Sequence, residues 1–297
     1  MRSSVTSKKD LGLMSVNRHE GAAEILREAD QLEAAVECAM KGDCWEKAKE
    51  LAQGQRFLED RVDKAYQTYL VDLQNTEGLL ELGHTNAALD VLAKGKEWDR
   101  LWDMAAKEHV GPTVLAKYAA MRMQQLIDEG GGRRLDEGVR VLHKYGAPAS
   151  PQYFDMYREI TRGILGRNVA QEAEVDQDTT VLQLREVLYS VMDNYKKTHH
   201  SDAGLEQLLM ASHYSHLLNV CRSVGGRDMS ELQAKIAITL LRYNGVIPTD
   251  KLFHQAGMIC KQQSHTNLAF VLLNRYVDLT EAIEEGDASM IENSDFA

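Results

Sequence analysis

One stretch of this chain occurs twice, and this repeat constrains the fold more than any other feature of the sequence. AAVECAMKGDCWEKAKELA at residues 34–52 is followed 53 positions later by AALDVLAKGKEWDRLWDMA at residues 87–105. Both copies contain a Gly-x-x-Trp turn, and the matched positions are Gly42 with Gly95 and Trp45 with Trp98. A pair of short helices cannot bury its apolar face alone. The repeat therefore predicts a stack of helical hairpins around a shared core, with these four residues as its structural positions.

The composition favours helices throughout the chain. Ala, Leu, Glu, Lys, Gln and Met dominate and all favour helix, whereas Val and Ile are sparse. Four prolines in 297 residues leave long stretches without a helix breaker. Helical periodicity predicts about fourteen helices and no strand. The predicted fold is all-α, an irregular TPR-like α-α superhelix built as a solenoid of helical hairpins.

Turn residues set the expected ends of the helices. Gly42 is expected to end a helix as a C′ residue in the left-handed conformation. Asp30 and Asp43 are expected to cap the helices that follow them. Apolar spacing from Leu58 onwards predicts one long amphipathic helix that ends near Gly83.

Shifts in composition divide the chain into five expected segments. Residues 1–16 are polar and are expected to form a flexible N-terminal segment, and residues 286–297 an acidic tail. Between them, residues 17–167 and 180–285 are expected to form two solenoid halves. Residues 168–179 are acidic and nearly free of large apolar side chains, which predicts a loop or linker.

Charge and hydropathy exclude several classes of function. The formal net charge is −11, whereas nucleic-acid binding needs a basic stripe, so no nucleic-acid partner is expected. No apolar run approaches the roughly 20 residues that span a bilayer, so direct membrane insertion is not expected. The N-terminus has no apolar core and does not match a secretory signal. Four cysteines without a CxxC spacing indicate reduced thiols in a cytosol-like compartment.

Residues that could carry chemistry do not form a known constellation. Cys38 and Cys44 lack two further soft ligands for zinc, so Cys38 is interpreted as a core residue and Cys44 as a partly exposed helix start. His213 and His216 are three residues apart on one predicted helix, but Glu206 lies too far along it to complete a metal site. No metal or cofactor is therefore expected.

Other motifs also favour a structural interpretation. The glycines at 130–132 follow no predicted strand and match no phosphate-binding motif, so they are expected to form an inter-helix loop. Neither a nucleophile elbow nor an oxyanion-hole loop is present. Trp98 and Trp102 are interpreted as core residues. No catalytic residue is expected, the chain is expected not to be an enzyme, and the binding residues stay unassigned.

Longer stretches resemble a known family. ELGHTNAALDVLAKGKEWDRLWDMAAKEHV and VLHKYGAPASPQYFDMYREI, with LLRYNGVIPTDKLFHQAGMICKQQSHTNLAFVLLNRYVDLTEAI in the second half, resemble the C-terminal part of the largest TPR-type subunit of the intraflagellar transport B complex. The resemblance implies a long protein with N-terminal WD-repeat propellers and an extended helical solenoid, of which this chain would be a piece. One departure is that Trp102 stands where the strict TPR signature has glycine, so the groove of regular TPRs is not implied.

The resemblance also implies a function. The chain would be a non-enzymatic scaffold and interaction module of the trains that carry cargo along the axoneme and support cilium assembly. Its partners would be other B-complex subunits and, in assembled trains, A-complex subunits. Its location would be the cilium or flagellum, with axoneme, basal body and a cytoplasmic pool. The alternatives are a vesicle-coat or adaptor solenoid, which uses the same hairpins, and an enzyme, which would need a convergent polar pocket.

Overall fold

The computed structural model describes residues 8–130, 132, 134–170, 175–197, 199, 202–224 and 227–286. Within these ranges it contains fifteen α-helices and two short 3-10 helices, and no strand. The predicted all-α class is confirmed for this part of the chain. None of the described helices has both the length and the apolar content needed to cross a membrane.

The first of two compact units comprises Met1–Glu108. Its helices are α1 (Lys8–Glu28), α2 (Leu32–Lys41), α3 (Trp45–Ala52), α4 (Arg56–Asp72), α5 (Thr76–Glu81), α6 (Thr85–Lys94) and α7 (Trp98–Lys107). Helices α2 and α6 have the same length and begin 53 positions apart, and α3 and α7 each begin at the tryptophan of the repeat. Small core residues allow the helices to approach closely, since Ala35, Ala39 and Ala48 are fully buried.

The turn within each repeat differs from the expected geometry by one residue. Gly42 has φ −95° and Gly95 has φ −73°, so neither glycine is left-handed. The positive φ falls on the next residue, Asp43 at 56° and Lys96 at 60°. In the first copy the N–H of Cys44 then donates to the carbonyl of the fifth residue before it, at 3.0 Å. The second copy repeats this bond at 2.9 Å, from Glu97 to Leu92.

The capping role expected for two aspartates is wrong. Gln31 and Cys44 occupy the N-cap positions of α2 and α3, without a side-chain cap. Asp30 instead has φ 59°, and Asp43 likewise lies in the left-handed region. Aspartate tolerates this region better than most residues because its short polar side chain can hydrogen-bond locally. The two aspartates therefore form the turns and do not cap the helices.

The single long helix expected between Leu58 and Gly83 is also wrong, because the chain breaks after α4. Gln74 adopts φ 54°, and the N–H of Gly78 donates to Oδ1 of Asn75 at 3.0 Å. This is a side-chain N-cap that starts α5. The apolar spacing continues across the break, which is why periodicity alone does not reveal it.

Close approach explains the glycine of the first repeat turn. A Cβ on Gly42 would lie 2.2 Å from Cβ of His19, because α1 packs directly across this turn. A Cβ on Gly95 would meet nothing nearer than 3.4 Å. Gly42 is therefore needed for packing against α1, whereas the second turn has room for a larger residue.

The second unit comprises His109–Ala297. Its helices are α8 (Pro112–Asp128), α9 (Arg134–Tyr145), α10 (Phe154–Ala170), α11 (Val175–Lys196), α12 (Ala203–Val224), α13 (Arg227–Leu240), α14 (Thr249–Gln262) and α15 (Thr266–Glu285), with 3-10 helices at Pro151–Tyr153 and Leu241–Tyr243. Helix α10 packs against α9, α11, α12 and α14 and is the central helix of this unit.

The expected segment boundaries differ from these helices. The loop expected at 168–179 is largely helical, because α10 continues to Ala170 and α11 starts at Val175; residues 171–174 lie outside the described residues. Val169, next to the end of α10, and Val181, within α11, are buried. Helix α1 already starts at Lys8, within the expected flexible segment. Residues 1–7 and most of the expected tail, 287–297, are also outside the described residues.

Polar contacts fix α10 within the second unit. The guanidinium of Arg167 donates to both carboxylate oxygens of Asp136 on α9, at 2.6 and 3.3 Å. The buried amides of Asn168 and Asn219 donate to one another, at 3.4 and 3.1 Å. Because buried amides need hydrogen-bond partners, this pair favours an alignment of α10 and α12 that keeps the two amides opposite one another.

Candidate functional site

The first tryptophan of the repeat belongs to a half-buried aromatic cluster. The ring of Trp45 lies 5.1 Å from that of Tyr66 and 5.0 Å from that of Tyr69 on α4. Nζ of Lys49 lies 4.3 Å above the Tyr66 ring, in cation–π geometry. Trp45 Nε1 is buried and has no hydrogen-bond partner. The cluster therefore holds α3 against α4 and leaves part of its aromatic surface accessible.

The second tryptophan has different surroundings. Trp98 is 8% exposed and stacks on Trp102 with 6.2 Å between ring centroids. Trp102 occupies the position that Lys49 holds in the first copy. Gly42 is buried, whereas Gly95 is exposed. The two copies share the local turn and helix start, but their side chains have different neighbours.

The cysteines near the first turn have exposures opposite to those expected. Cys44 is buried and donates from Sγ to the carbonyl of Gly42 at 3.4 Å, whereas Cys38 is partly exposed, with Sγ 3.8 Å from Nδ1 of His19. Burial, together with the charge of nearby Glu20, raises the pKa of the Cys44 thiol. All four cysteines are free. In the part of the chain that the structure describes, no three His, Cys, Asp or Glu side chains are arranged to hold a metal ion.

The second unit contains a cavity of about 540 Å³ between α11 and α12. Its lining residues are Arg185, Glu186 and Tyr189 from α11 and Leu209, Met210 and His213 from α12. Leu209 is buried at its floor, and Tyr189 is 62% exposed at its edge. This volume lies within the range of ligand pockets. The name α11–α12 groove is used below for this cavity together with the adjoining exposed face of α12.

Charged groups lie along the α11 side of the groove. One guanidinium nitrogen of Arg185 lies 3.7 Å from Oε1 of Glu186, beyond hydrogen-bond distance. The other carboxylate oxygen of Glu186 lies 2.7 Å from Nε2 of His143 on α9. Burial, with the positive charges of Arg185 and His216, lowers the pKa of His213. The imidazole of His213 is therefore neutral at neutral pH.

An apolar stripe continues the groove along α12. Met210, His213, Leu217, Val220 and Val224 recur at intervals of three and four residues and lie on one face of the helix. The first four are half-buried, and Val224 is 67% exposed. The opposite face of α12 is buried within the unit. The stripe consists of four apolar side chains and the imidazole of His213, and the unit leaves it incompletely covered.

The groove has the features of a binding surface. Its described lining residues bring together one imidazole, one guanidinium and one carboxylate, without a cysteine or serine nucleophile. Apolar side chains with a few charged groups at the edge are typical of partner-binding clefts. Sequence reasoning singled out His213 as a metal candidate but missed Arg185 and Tyr189. The spacing of the stripe residues in the sequence could have predicted one apolar face of α12. The residues that α11 adds to the groove could not be predicted, because they depend on how the two helices pack.

Comparisons with known proteins relate nearly the whole chain to intraflagellar transport proteins. The mouse (Mus musculus) Intraflagellar transport protein 172 homolog is 31% identical over 290 residues, which cover 96% of this chain. The human (Homo sapiens) homolog is 30% identical over 293 residues, and Intraflagellar transport protein 172 of Chlamydomonas reinhardtii is 27% identical over 296 residues, each again covering 96% of the chain. No family model matches the chain.

The chain spans 16% of the length of each of these relatives. The match runs through both compact units, so it includes the repeat and the α11–α12 groove. The resemblance to an intraflagellar transport subunit is thereby confirmed.

Proposed function

We propose that this chain, which is homologous along 96% of its length to a segment of intraflagellar transport protein 172, is a scaffold and interaction module of the intraflagellar transport train. It supports cilium assembly and the transport of ciliary cargo. Its partners are other B-complex subunits and, in assembled trains, A-complex subunits. It acts at the cilium or flagellum, including axoneme and basal body, with a cytoplasmic pool.

The observation that carries this proposal is the match itself, since it covers nearly the whole chain and names transport proteins in animals and an alga. The architecture agrees with it, because helical hairpins present extended surfaces to other proteins. A non-enzymatic role is part of the proposal. It is supported by the relatives' name as transport proteins and by a groove whose lining is mainly apolar.

A retention experiment tests the proposal. The full chain is immobilised and exposed to extract from ciliated cells at near-physiological salt, and retained proteins are quantified by mass spectrometry. We expect intraflagellar transport proteins to be enriched over a control helical protein of similar charge. Recovery of vesicle-coat components alone would favour the coat or adaptor alternative, and recovery of neither would contradict a partner-binding role.

Two surface variants sharpen the experiment. Tyr189→Asp changes an exposed residue at the groove, and Phe57→Asp changes an exposed residue on α4 of the first unit; their exposed fractions are 62% and 71%. Loss of partners with only one of these variants assigns the interaction to one unit. Far-UV circular dichroism checks that both variants keep the helical fold.

A further inference from the structure

The apolar stripe of α12 is longer than the cavity at its start. The cavity is lined from α12 by Leu209, Met210 and His213, whereas the stripe continues through Leu217 to Val224. From Met210 to Val224 it spans about 21 Å, or four helical turns. A small ligand in the cavity would leave most of this stripe uncovered, whereas a helix lying along the groove would cover it.

The flanking helices give the groove the geometry for a helical occupant. Helices α11 and α12 have 22 residues each and pack against one another. Two packed helices present a furrow into which the side-chain ridge of a third helix fits. A helix in such a groove places apolar anchors at i, i+3 or i+4, and i+7.

The charge at the edge of the groove specifies one further feature of the occupant. Arg185 has five N–H donors, and its contact with Glu186, at 3.7 Å, satisfies none of them with hydrogen-bond geometry. Glu186 is itself engaged by His143 at 2.7 Å. Arg185 also lines the cavity, and its positive charge there contributes to the lowered pKa of His213. A carboxylate in the occupant would complement this charge with bidentate geometry.

We infer that the α11–α12 groove binds an amphipathic helix of a partner protein, with apolar residues along the stripe from Met210 to Val224 and an aspartate or glutamate opposite Arg185. This inference rests on the proposed function and deepens it, since it states the chemistry of one partner segment. Tyr189, exposed at the edge, packs over the bound helix.

Site-specific cross-linking tests the inference on the full chain. Tyr189 is replaced by the photo-reactive p-benzoyl-phenylalanine, the protein is irradiated in extract from ciliated cells, and the cross-linked peptide is sequenced by mass spectrometry. We expect a segment from another protein with apolar residues at i, i+3 or i+4, and i+7 and an acidic residue on the adjacent face. A fluorescein-labelled synthetic peptide of that sequence is then titrated with the chain by fluorescence anisotropy.

Charge reversal decides whether Arg185 has the inferred role. Arg185→Glu is expected to weaken peptide binding at least about tenfold, because like charges would then face one another. Changing the acidic residue of the peptide to arginine is expected to restore binding to Arg185→Glu and to weaken binding to the unchanged chain. The matched control is Arg134→Glu, which reverses an exposed arginine of the second unit that also pairs with a glutamate, Glu129, and it should leave the affinity unchanged.

The possible failures are distinguishable. If the unchanged chain retains no transport protein, the proposed function fails. The inference alone fails if transport proteins are retained equally by the unchanged chain and by Arg185→Glu. It also fails if Tyr189 cross-links to no protein, only to a second copy of the chain or only to segments without the amphipathic pattern. Absence of rescue by charge reversal contradicts the role given to Arg185.

Discussion

Replacing each repeat glycine by alanine should have different effects in the two copies. Both glycines have negative φ values, −95° and −73°, so alanine is allowed at both by the backbone. In Gly42→Ala the new Cβ would lie 2.2 Å from Cβ of His19, whereas in Gly95→Ala the nearest atom is 3.4 Å away. The first substitution requires α1 to move by about 1 Å, since Cβ atoms rarely approach within 3.4 Å.

The magnitudes follow from packing and from chain entropy. Overpacking of this kind costs about 1–3 kcal/mol. At a site with room, a glycine-to-alanine change stabilises by about 0.4–1 kcal/mol, because the unfolded chain has fewer states. Gly42→Ala should therefore lower the melting temperature of the first unit and Gly95→Ala should leave it unchanged or raise it. For a domain near 100 residues, each kcal/mol shifts the melting temperature by about 4–8 °C.

Tryptophan fluorescence follows the first unit selectively, because all three tryptophans of the chain, Trp45, Trp98 and Trp102, lie within it.

A second substitution, at His19, tests whether the clash with α1 causes the loss of stability. His19→Gly removes the clashing Cβ and should partly rescue Gly42→Ala, whereas His19→Ala keeps that atom and should not. Equal melting temperatures for Gly42→Ala and Gly95→Ala, or equal rescue by both changes at His19, would refute the packing of α1 across this turn.

Three further predictions concern side chains of both units. Trp98→Ala should destabilise the first unit by about 3–5 kcal/mol in urea unfolding followed by circular dichroism, and Trp45→Ala by less, because its ring is only half-buried. Asn168→Ala should cost about 1–3 kcal/mol in thermal unfolding because it leaves the buried amide of Asn219 unpaired; replacing both by leucine should cost less. Because the pKa of His213 is lowered in the folded state, the unfolded chain takes up the proton first, and stability should fall as pH drops through about 6.5. His213→Phe should make this fall shallower in unfolding series between about pH 7.5 and 5, and an unchanged slope would contradict the burial of that imidazole.

The helical hairpins could be predicted from the sequence because their signals are local. The bounds of α6 follow directly from its apolar periodicity and from the turn at Gly95. The register of the turn was missed by one residue, since glycine and aspartate are adjacent in Gly42-Asp43 and both tolerate the left-handed region. The left-handed residue follows the glycine in both copies, Asp43 at φ 56° and Lys96 at φ 60°, so the geometry of the turn and not the type of residue sets this position.

The rest of the fold depends on contacts that a single sequence does not display. The acidic stretch at 168–179 suggests a loop by composition, but α10 and α11 extend into it, and Val169 within it is buried. The break between α4 and α5 depends on one asparagine cap within a continuous apolar pattern. The same holds for the groove, where Arg185 and Met210 meet only because α11 packs beside α12.

The central claim, that the chain is part of the intraflagellar transport train, is tested most directly in living cilia. The chain is expressed with a fluorescent tag in ciliated cells that carry a second label on an intraflagellar transport protein, and two-colour kymographs are recorded along the cilium. We predict that the chain enters the cilium and moves with the labelled trains in both directions. Diffuse signal, or movement on cytoplasmic vesicles without entry into the cilium, would contradict the claim.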